Sequence, residues 1–594
     1  MRSATAPQAP APVNGPEDYA SAWHSIDWAT AEGSVRRLRQ RIFTATQNGD
    51  LKQVRNLQKL MLRSHSNTLV SVKRVTQLST GRRTAGIDGE KALTPKERGQ
   101  LAAQIFMELC PSGARPVRRV YIPKANGKQR PLGIPVIRDR VHQARTKNAL
   151  EPEWESRFEA RNYGFRPGRG CQDTIAAIYN TVAGKRAKRV WALDADLAGA
   201  FDRIDHAHLM DSIGMFPGRG MIRSWLKAGV MEDGRFTPTE EGTPQGGVIS
   251  PLLLNVALHG MGTAAGCLEG ASQYARLNAP VLVRYADDLV VLCHSEDAAR
   301  RVKQDLARWL APRGLTFNED KTRIVHLNEG FDFLGFNVRR YDGKLLIKPS
   351  KEAVKRIRKR LHDEVRALRG SNAGAVVKKL NPIIKGWATY YRTVVSSRIF
   401  GSLDKYMWTL TYKWAKHSHP RKPKTWVVSK HFGQFNASRR DRWVFGDQVT
   451  GIYLFKFGWT KIERHVGVAG TNSRDDPSLT NYWAARTRRR MPATVDRMSI
   501  SLAARQRGIC PLCKQPLIFG AEYEPDDVRS WAAWFSASMK QLHKHHFVQR
   551  RDGGTDDRTN LRLVHAECHR QHHAVDNGTR ARQKTPISVA SGPA

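Results

Sequence analysis

Apolar and polar positions alternate with two different periods, and the period changes from one region of the chain to the next. Between about residues 34 and 74, segments such as VRRLRQRIF and LKQVRNLQKLMLR repeat apolar side chains at helical spacing, with Lys and Arg between them. From about Lys188 to Val338, apolar runs of strand length alternate with helical stretches. This alternation predicts an α+β domain that follows a basic helical region in the sequence.

A hairpin is predicted between these two regions. The segment VRRVYIPKANGKQRPLGIP, residues 117–135, contains two extended runs that flank Asn126-Gly127. Both residues of this dipeptide accept a positive φ, which the tight turn of a two-residue hairpin requires. We therefore expect a strand on each side of the dipeptide.

The pattern becomes helical again near Ser350. Apolar residues recur there at steps of three and four, with Lys and Arg in the gaps, which predicts an amphipathic helix with a basic outer face. These apolar residues are Val354, Ile357, Leu361, Val365 and Leu368. Aromatic and basic residues then interleave in GWATYYR and KYMWTLTYKWAKH. The later segment TNSRDDPS is polar and contains proline, so we expect a linker there before the stretch NYWAARTRRR.

The composition adds a strong charge imbalance. The 594 residues include 98 Lys and Arg against 54 Asp and Glu, a formal charge of +44. A basic excess of this size points to a polyanionic partner, and nucleic acid is the usual one. Charge alone does not separate RNA, DNA and anionic lipid.

Two further features concern the cellular compartment. No apolar run approaches the roughly 18–20 residues that span a bilayer, and the Ala/Pro-rich N-terminus lacks the apolar core of a secretory signal. Several cysteines are scattered singly, as expected of reduced thiols in the cytosol. They are Cys110, Cys171, Cys267 and Cys293. We therefore expect a cytoplasmic protein without a membrane partner.

Two clusters of carboxylates carry the main chemical signal. In RVWALDADLAGAFDRIDH, the run Val190 to Leu193 predicts a buried strand with Asp196 at its exit. In VLVRYADDLVVLC, two β-rich runs flank Tyr285-Ala286-Asp287-Asp288, which places both aspartates at a hairpin tip. A lone Asp-Asp pair is also common in structural turns. Adjacent carboxylates between apolar strands repel each other, however, and persist mainly where cations such as Mg²⁺ neutralise them.

Taken together, these motifs resemble the reverse transcriptases, specifically those of the group II intron-encoded proteins. VYIPKANGKQRPLGIP resembles the fingers hairpin, NYGFRPGRG the block that follows it, ALDADLAGAFDRIDH the first catalytic block and EGTPQGGVISPLLLN the template and nucleotide block. RYADDLVV resembles the metal-binding hairpin, and LTFNEDKTRIVHL and FDFLGFNV resemble the blocks that close the palm. The resemblance implies an RNA-directed DNA polymerase in which Asp196, Asp287 and Asp288 hold Mg²⁺.

The same resemblance implies contacts with the incoming deoxynucleoside triphosphate. Lys124 and Arg130 would pair with the triphosphate, for which the planar arginine side chain is well suited. Phe201 would pack under the sugar and exclude a 2′-hydroxyl, and Gln245 would line the nucleotide pocket. Lys321 would protonate the leaving pyrophosphate if the fold brings it close. Without the resemblance, the phenylalanine also fits a core side chain, and the basic residues fit solvated surface charges.

Residues 346–445 resemble the thumb and maturase domain of the same family, through LNPIIKGWATYYR and WAKHSHPRKPKTW. The residues themselves allow two interpretations. Aromatic side chains can stack on unpaired bases while Lys and Arg neutralise phosphates, which predicts contact with intron RNA. Alternatively, Trp387, Tyr390 and Tyr391 belong to a helical core. The basic region that follows is expected to contact DNA.

Near the C-terminus, cysteine and histidine occur in two spaced pairs. Cys510-x₂-Cys513 and His565-x₂-Cys568 have the spacing of two metal-binding knuckles. Four such ligands form a tetrahedral structural Zn²⁺ site. A single CxxC pair would be a weak signal, whereas two knuckles are a strong one. The family often has a cysteine where His565 stands.

The segment HKHHFVQRRDGGTDDRTNLRLVHAECHRQHH resembles an HNH, or ββα-metal, nuclease. The resemblance implies that His546 is the general base and that His545 and His569 bind the catalytic divalent ion, expected to be Mg²⁺. It also implies that Asn560 fixes the active-site loop. His573 lies four residues after His569, on the same helical face, and is a further candidate ligand.

The sequence thus predicts an α+β multidomain protein with a right-hand polymerase, a helical thumb and a small zinc-containing ββα-metal domain. The predicted boundaries are 1–30 for a disordered tail, 31–345 for fingers and palm, 346–445 for the thumb and maturase domain, 446–500 for a DNA-binding region and linker, 501–580 for the HNH endonuclease and 581–594 for a second disordered tail.

The predicted function is that of a mobile-element ribonucleoprotein. The protein would bind intron RNA and assist its splicing, nick a double-stranded DNA target and copy the RNA from that nick, using deoxynucleoside triphosphates. One alternative is an RNA-binding splicing cofactor without an active polymerase, and another is the reverse transcriptase of a retron-like system. The intact acidic and HNH motifs disfavour the first alternative, and the maturase-like and HNH-like regions disfavour the second.

Overall fold

The computed structural model describes residues 23, 26–108, 113–123, 129–184, 187–268, 273–436, 439–489, 497–512, 514, 517, 542–549, 552–566, 568–569 and 572–573. Lys124, Cys513, the Asn126-Gly127 dipeptide, most of the N-terminal tail and the C-terminal tail lie outside these residues. Residues up to 157, residues 201–257 and the described residues from 568 onward form one compact unit, and residues 158–200 with 258–566 form another. None of the described helices is long and apolar enough to cross a membrane.

The helices are, in chain order, α1 (Trp28–Gln47), α2 (Leu51–Arg63), α3 (His65–Lys73), α4 (Pro95–Met107), α5 (Ile137–Glu155), α6 (Cys171–Val182), α7 (Ala200–Arg203), α8 (His206–Ile213), α9 (Arg219–Leu226), α10 (Ser250–Ala257), α11 (Met261–Ala264), α12 (Gln273–Asn278), α13 (Glu296–Leu310), α14 (Lys351–Ala367), α15 (Ala373–Tyr391), α16 (Ser397–Ser418), α17 (Lys424–His431), α18 (Thr480–Arg489) and α19 (Arg497–Arg505). The strands are β1 (Val117–Pro123), β2 (Gln129–Ile134), β3 (Trp191–Asp196), β4 (Val230–Glu232), β5 (Arg235–Thr237), β6 (Val281–Tyr285), β7 (Asp288–Cys293), β8 (Arg323–His326), β9 (Phe331–Phe333), β10 (Phe336–Tyr341), β11 (Lys344–Pro349), β12 (Phe432–Gly433), β13 (Val444–Phe445), β14 (Leu542–His546) and β15 (Leu561–His565).

In the first unit, the N-terminal helices α1 to α3 pack around α5. Helices α1 and α2 each bury an apolar stripe at helical spacing and leave most of their basic residues outside, as the sequence pattern predicts. Helix α3 differs, because it buries polar residues and Lys73 as well as Leu69 and Val72. Two buried glutamates of α5 accept ion pairs from these helices: Glu151 from Arg39 at 2.9 Å and Glu153 from Arg55 at 2.6 Å. Buried carboxylates need such partners because desolvation penalises their charge.

The first unit also contains a four-stranded sheet with the order β2-β1-β4-β5. Strands β1 and β2 pair antiparallel up to Pro123 and Gln129, so the strands that the Asn-Gly signal predicts are present. Strand β1 pairs in parallel with β4, with Val117 opposite Val230.

The second unit is built on a sheet with the order β6-β7-β3-β8. All five residues of β6 are buried, and β7 is buried after its first residue. Helix α13 contacts β3, β7 and β8 through a buried stripe at helical spacing, while its charged residues face outward. Most side chains of β6 and β7 are apolar, so Asp288 at the start of β7 is chemically distinct from the rest of that strand.

A small antiparallel sheet, β11-β10-β9, leads into the thumb helices α14 to α16. Helix α14 begins at Lys351 because the Ser350 hydroxyl accepts the N–H of Ala353. Three of the five predicted apolar positions are buried in α14, and Ala353 completes the stripe. Val354 and Leu368 are partly exposed, and Leu368 lies just beyond the last helical residue.

The polar segment at residues 471–478, for which the composition predicts a linker, is packed instead. Ser473 is 1% exposed and Asp475 is 5% exposed. The Ser473 carbonyl accepts the indole N–H of Trp483 in α18 at 2.7 Å. The segment is polar because its side chains and carbonyls bond within the protein, which composition alone does not reveal.

At the C-terminal end, α19 contacts β15, and β14 pairs antiparallel with β15. The Gln506 side chain, just after α19, accepts the Leu563 N–H at 2.7 Å and donates to the Leu563 carbonyl at 2.7 Å. Described residues that follow β15 are helical. This strand, strand and helix order is the one that the ββα-metal resemblance implies.

Candidate active sites

Three aspartates lie at one end of the sheet of the second unit. Asp196 is the last residue of β3 and stands directly opposite Asp288, the first residue of β7. Asp287 precedes it in the two-residue turn between β6 and β7, where Ala286 has a φ of 58°. Directly opposed like charges destabilise a sheet. The local fold therefore concentrates negative charge where the sequence pattern predicts a cation site.

The hairpin that carries Asp287 rests on residues of NYGFRPGRG. The N–H of Tyr163 donates to the Arg284 carbonyl at 3.0 Å. A Cβ added at Gly164 would lie 2.1 Å from the Ala286 nitrogen, so this close approach requires glycine. The buried Arg284 guanidinium donates to the Ala286 carbonyl at 3.2 Å, and burial lowers the pKa of Arg284 to about 10. Arg284 therefore stays charged at neutral pH and fixes the turn.

Lys321 lies beside Asp196. Its Nζ is 2.5 Å from Asp196 Oδ2, and Asn318 Nδ2 lies 3.4 Å from the same oxygen. Desolvation lowers the pKa of Lys321, but the hydrogen bond to Asp196 and the charge of Asp196 outweigh it and raise that pKa above its usual value. A metal ion at Asp196 would compete with this ammonium group.

The donor chemistry of the aspartates fits Mg²⁺, which prefers carboxylate oxygen. Among the described residues, however, the ligand oxygens of these three aspartates do not all lie within 4.8 Å of one another. Asp194 adds a further carboxylate two residues before Asp196, on the same face of β3. Desolvation raises the pKa of Asp194 to about 7. The Asp-x-Asp spacing in the sequence is the signal that would have pointed to Asp194.

Three of the residues expected to contact the nucleotide, Arg130, Phe201 and Gln245, belong to the first unit. Phe201 is half-buried in α7, and Arg130 is exposed on β2. Gln245 donates through Nε2 to Asp202 Oδ2 at 2.8 Å. A backbone N–H of β2 donates to the Gln245 carbonyl at 2.9 Å. The structure thus brings the Pro-Gln-Gly turn against the fingers hairpin and beside α7.

Three knuckle residues converge near the C-terminus. The ligand atoms of Cys510, His565 and Cys568 all lie within 4.8 Å of one another, and all three residues are buried. His565 is the last residue of β15, and the chain turns at once into helical residues that bring Cys568 back towards it. Buried thiols and an imidazole directed at one point suit Zn²⁺.

A second group joins His545, His569 and His573, whose ligand atoms also lie within 4.8 Å of one another. His545 is buried on β14, and the rings of the other two histidines lie 4.5 Å apart. Three imidazoles suit a divalent ion. His546 points to the other face of β14, since successive strand residues alternate. Its Nε2 lies 2.6 Å from Asp556 Oδ1. The sequence pattern does not indicate this partner, because turns often contain aspartate.

Asn560 closes the loop that follows β14. Its Oδ1 accepts the Val548 N–H at 2.7 Å, and its Nδ2 donates to the carbonyls of Val548 at 2.9 Å and Thr555 at 2.8 Å. A Cβ at Gly554 would lie 1.8 Å from the Val548 carbonyl oxygen, so the loop needs glycine there. Every polar atom of the amide is used to hold backbone.

The aromatic residues of GWATYYR form core rather than a base-stacking surface. Trp387 is 1% exposed, and Tyr390 and Tyr391 are fully buried. Their rings pack against Phe336 and Phe400. The stacking interpretation is therefore wrong for these three residues, because their spacing of three and four places them on the inner face of α15.

Comparison with known families matches four parts of the chain. Residues 122–338 match the reverse transcriptase (RNA-dependent DNA polymerase) family, and residues 23–105 match the N-terminal domain of reverse transcriptase. Residues 354–432 match the group II intron maturase-specific domain, and residues 533–574 match HNH endonuclease. Fold and sites together define a reverse transcriptase joined to an HNH endonuclease.

Individual relatives agree with this class. Protein YkfC of Escherichia coli (strain K12) is 36% identical over 310 residues, which cover 46% of this chain and 81% of that protein. Group II intron-encoded protein LtrA of Lactococcus lactis subsp. cremoris is 31% identical over 287 residues, covering 38% of this chain and 47% of LtrA. Maturase-like protein 1 of Euglena gracilis is 27% identical over 383 residues, covering 63% of this chain and 78% of that protein. The chain belongs to the group II intron-encoded proteins that combine reverse transcriptase, maturase and HNH endonuclease domains, and its match spans about half the length of LtrA.

Proposed function

We propose that this chain assists the splicing of an intron RNA and copies that RNA into DNA, starting from a nick that its own HNH domain makes in a target duplex. The observation that carries the proposal is the presence of two separate metal-type sites in one chain. Asp196 opposes Asp288 at the end of one sheet, and three histidines converge in a different domain. Such a chain can both make a primer and extend it.

In the polymerase, Asp196, Asp287 and Asp288 are proposed to hold Mg²⁺. When bound, two such ions lower the barrier for attack of the primer 3′-hydroxyl and stabilise the leaving pyrophosphate. Lys321, which contacts Asp196 at 2.5 Å, is charged at neutral pH and can donate a proton to that pyrophosphate. Phe201, half-buried in α7, is proposed to exclude a ribose 2′-hydroxyl.

The remaining nucleotide contacts come from the fingers and the Pro-Gln-Gly turn. Lys124 and Arg130 are proposed to bind the triphosphate, and Gln245 is proposed to line the nucleotide pocket. Support comes from the exposed position of Arg130 on β2 and from the hydrogen bond between β2 and the Gln245 carbonyl.

In the nuclease, His546 is proposed to take a proton from the attacking water, and Asp556 at 2.6 Å would orient its ring. His545, His569 and His573 would hold a divalent ion, for which we propose Mg²⁺. Such an ion, when bound, would supply charge stabilisation at the reacting phosphate. Asn560 supports this arrangement because it ties the loop after β14 to the sheet. A structural Zn²⁺ would be held by Cys510, Cys513, His565 and Cys568.

The thumb is proposed to contact intron RNA through exposed rather than buried aromatics. Trp408 is 38% exposed and Trp443 is 59% exposed. The ring of Trp408 stacks on Tyr412 with centroids 5.4 Å apart, and the basic side chains of Lys405 and Arg442 nearby in sequence are also exposed. Flat exposed rings beside positive charge suit unpaired bases and their phosphates. As a ribonucleoprotein, the chain is expected to act in the bacterial cytosol.

Replacing Asp287 tests the polymerase part of the proposal. Asp287→Asn should abolish extension of a primer annealed to an RNA template, because a neutral amide cannot offset the charge of a metal ion. The variant should still promote splicing of the intron RNA and nick duplex DNA. Asp305→Asn, the same change at an exposed position of α13, should extend the primer normally.

Two results would count against the proposal. Near-normal extension by Asp287→Asn would mean that the hairpin aspartate does not serve the polymerase. A wild-type chain that promotes splicing without extending any primer would favour the splicing cofactor instead.

A further inference from the structure

A buried carboxylate outside both sites accepts hydrogen bonds from residues that are distant in the chain. Asp173, in the first turn of α6, has a side chain with no exposed surface. Its Oδ1 accepts from Arg486 Nη2 at 2.7 Å, from His465 Nε2 at 2.8 Å and from the Val468 N–H at 3.0 Å. Its Oδ2 accepts the Gly170 N–H at 2.9 Å. These donors satisfy a group that burial would otherwise penalise.

The same two segments meet again beside this network. The buried Arg169 guanidinium donates to the Ala160 carbonyl at 2.9 Å and to the Gly470 carbonyl at 2.8 Å. The indole of Trp483 lies against Gly168, where a Cβ would meet the ring at 2.6 Å. Residues 463–486, which we call the strap, thus wrap around residues 168–173.

The strap begins on the thumb. The Glu463 N–H donates to the Arg392 carbonyl at 3.0 Å, and Arg464 donates to the Thr393 carbonyl at 3.3 Å, just after α15 ends. The strap therefore connects the end of a thumb helix with the segment that precedes α6. Trp483 and Arg486, which the sequence pattern assigned to a DNA-contacting stretch, are used inside the protein.

The segment that receives the strap also supports the catalytic hairpin. Arg166, which is fully buried, donates to the carbonyls of Glu159 at 2.8 Å and Asn162 at 3.0 Å, so residues 159–166 form a compact turn. Gly164 in this turn abuts the backbone of Ala286. A continuous set of buried contacts therefore leads from Arg486 to the turn that carries Asp287.

We propose that the strap is a positioning element of the polymerase, and that Arg486 acts through Asp173 to hold the hairpin of Asp287 in its working place. The inference rests on the proposed polymerase function of that hairpin. A metal-binding carboxylate must be held to within about half an ångström, so a small shift of its support lowers the rate of the chemical step. Binding of the nucleotide, which uses other residues, should be affected less.

The test uses the full-length chain and single-nucleotide addition to a primer annealed to RNA. Arg486→Ala should lower kcat by about 10- to 100-fold with little change in the KM for the nucleotide. Arg486→Lys, which restores a charged donor, should recover most of kcat. His465→Ala removes one donor and should give a smaller loss. Lys461→Ala, at an exposed position just before the strap, should behave as wild type.

Nicking of duplex DNA by the same preparations separates positioning from general unfolding. Under the proposal, Arg486→Ala nicks at the wild-type rate, and adding Asp173→Asn to it lowers kcat little further, because both changes break one network. An unchanged kcat, a parallel loss of extension and nicking, or a Lys variant no better than the Ala variant would each overturn the proposal. Failure of the polymerase function itself would instead appear as a lack of extension by the wild-type chain.

Discussion

At the scale of single residues, the two sites handle charge in opposite ways. Asp196 and Asp288 oppose each other across a sheet, and the ammonium of Lys321 contacts one of them at 2.5 Å. The nuclease group consists of three imidazoles, which bind a metal as neutral ligands. The polymerase site therefore gathers carboxylates around one ammonium group, whereas the nuclease site gathers imidazoles alone.

Phe201 provides the prediction for sugar selection. Phe201→Val should open space at the sugar 2′-position and admit ribonucleotides, so the preference for deoxyribonucleotides over ribonucleotides should fall about 10- to 100-fold. The preference is measured as the ratio of kcat/KM for dNTP and rNTP in primer extension. Phe236→Ala removes an exposed phenylalanine of the same unit and should leave the ratio unchanged. If Phe201→Val also keeps the wild-type ratio, this ring does not select the sugar.

Some site residues could be identified from the sequence and others could not. The difference is whether the residues that explain their role lie next to them in the chain. Asp287 and Asp288 stand next to each other between two apolar runs, so local pattern was sufficient to place them at a hairpin tip. Asp173 and Asp556 depend on partners that only the tertiary fold supplies, such as Arg486, 313 residues after Asp173. A lone aspartate near a helix start or in a turn has an ordinary local explanation, and its further role is invisible without the fold.

At the scale of elements, the dependence on tertiary contacts also explains why the buried aromatic residues of the thumb could not be distinguished from a surface by sequence. The spacing of three and four in GWATYYR correctly indicates one face of a helix, but it does not say what covers that face. Phe336 packs against Tyr390, and Phe400 packs against Trp387, so elements on either side in the chain cover this face. By contrast, strands β1 and β2 and helix α14 followed from local signals, because an Asn-Gly turn and a continuous apolar stripe specify their own structure.

Substituting the thumb tryptophans should distinguish core from RNA-binding surface. Trp387→Ala should destabilise the protein by about 3–5 kcal/mol, since it leaves a cavity in the core. Trp408→Ala and Trp443→Ala should change stability little but weaken intron RNA binding, by about 1–3 kcal/mol per stacked base. Thermal melting and RNA affinity at one fixed salt concentration measure the two effects. Wild-type RNA affinity in both exposed-site variants would refute the proposed stacking surface.

A histidine pair in the thumb predicts that this domain loses stability in acid. His431 is 5% exposed, and its Nε2 lies 3.1 Å from His419 Nε2. Burial, with the charges of His419 and Lys430, lowers the pKa of His431 to about 4. The pKa of His431 in the folded protein is therefore below its unfolded value of about 6.5. The contribution of neutral His431 to the free energy of unfolding is complete above pH 6.5 and is lost as the pH falls towards 4, by up to about 3 kcal/mol.

His431→Gln tests this dependence. The amide keeps a polar group of similar reach but does not titrate, so the melting temperature of the variant should fall less than that of wild type between pH 7 and pH 5. Histidines elsewhere titrate equally in both proteins and cancel in the comparison. Equal losses in the two proteins would show that His431 does not control acid stability of the thumb.

At the scale of the whole molecule, the net charge of +44 favours a complex with nucleic acid. The separate candidate metal sites favour more than one activity in that complex. Phosphate contacts release counterions, so binding to intron RNA should weaken steeply with salt.

The group of Cys510, His565 and Cys568 is proposed to hold a structural ion, unlike the three histidines of the nuclease. Cys510→Ser should impair folding of the C-terminal domain, because metal binding supplies much of the folding free energy of a small domain.

The coupling of the two enzymes can be tested with a single substrate. His546→Ala should abolish HNH nicking of a labelled duplex, because the variant lacks the proposed base, while primer extension and splicing continue at wild-type rates. In an assay that joins nicking to DNA synthesis, this variant should make no product from an intact duplex. A duplex already nicked at the same place should restore synthesis, because the palm aspartates belong to a different site. Asp287→Asn should show the opposite pattern, with nicking intact and no synthesis from either duplex. If His546→Ala still nicks at the wild-type rate, the HNH assignment is wrong, and the C-terminal domain is better understood as a zinc-stabilised DNA-binding module.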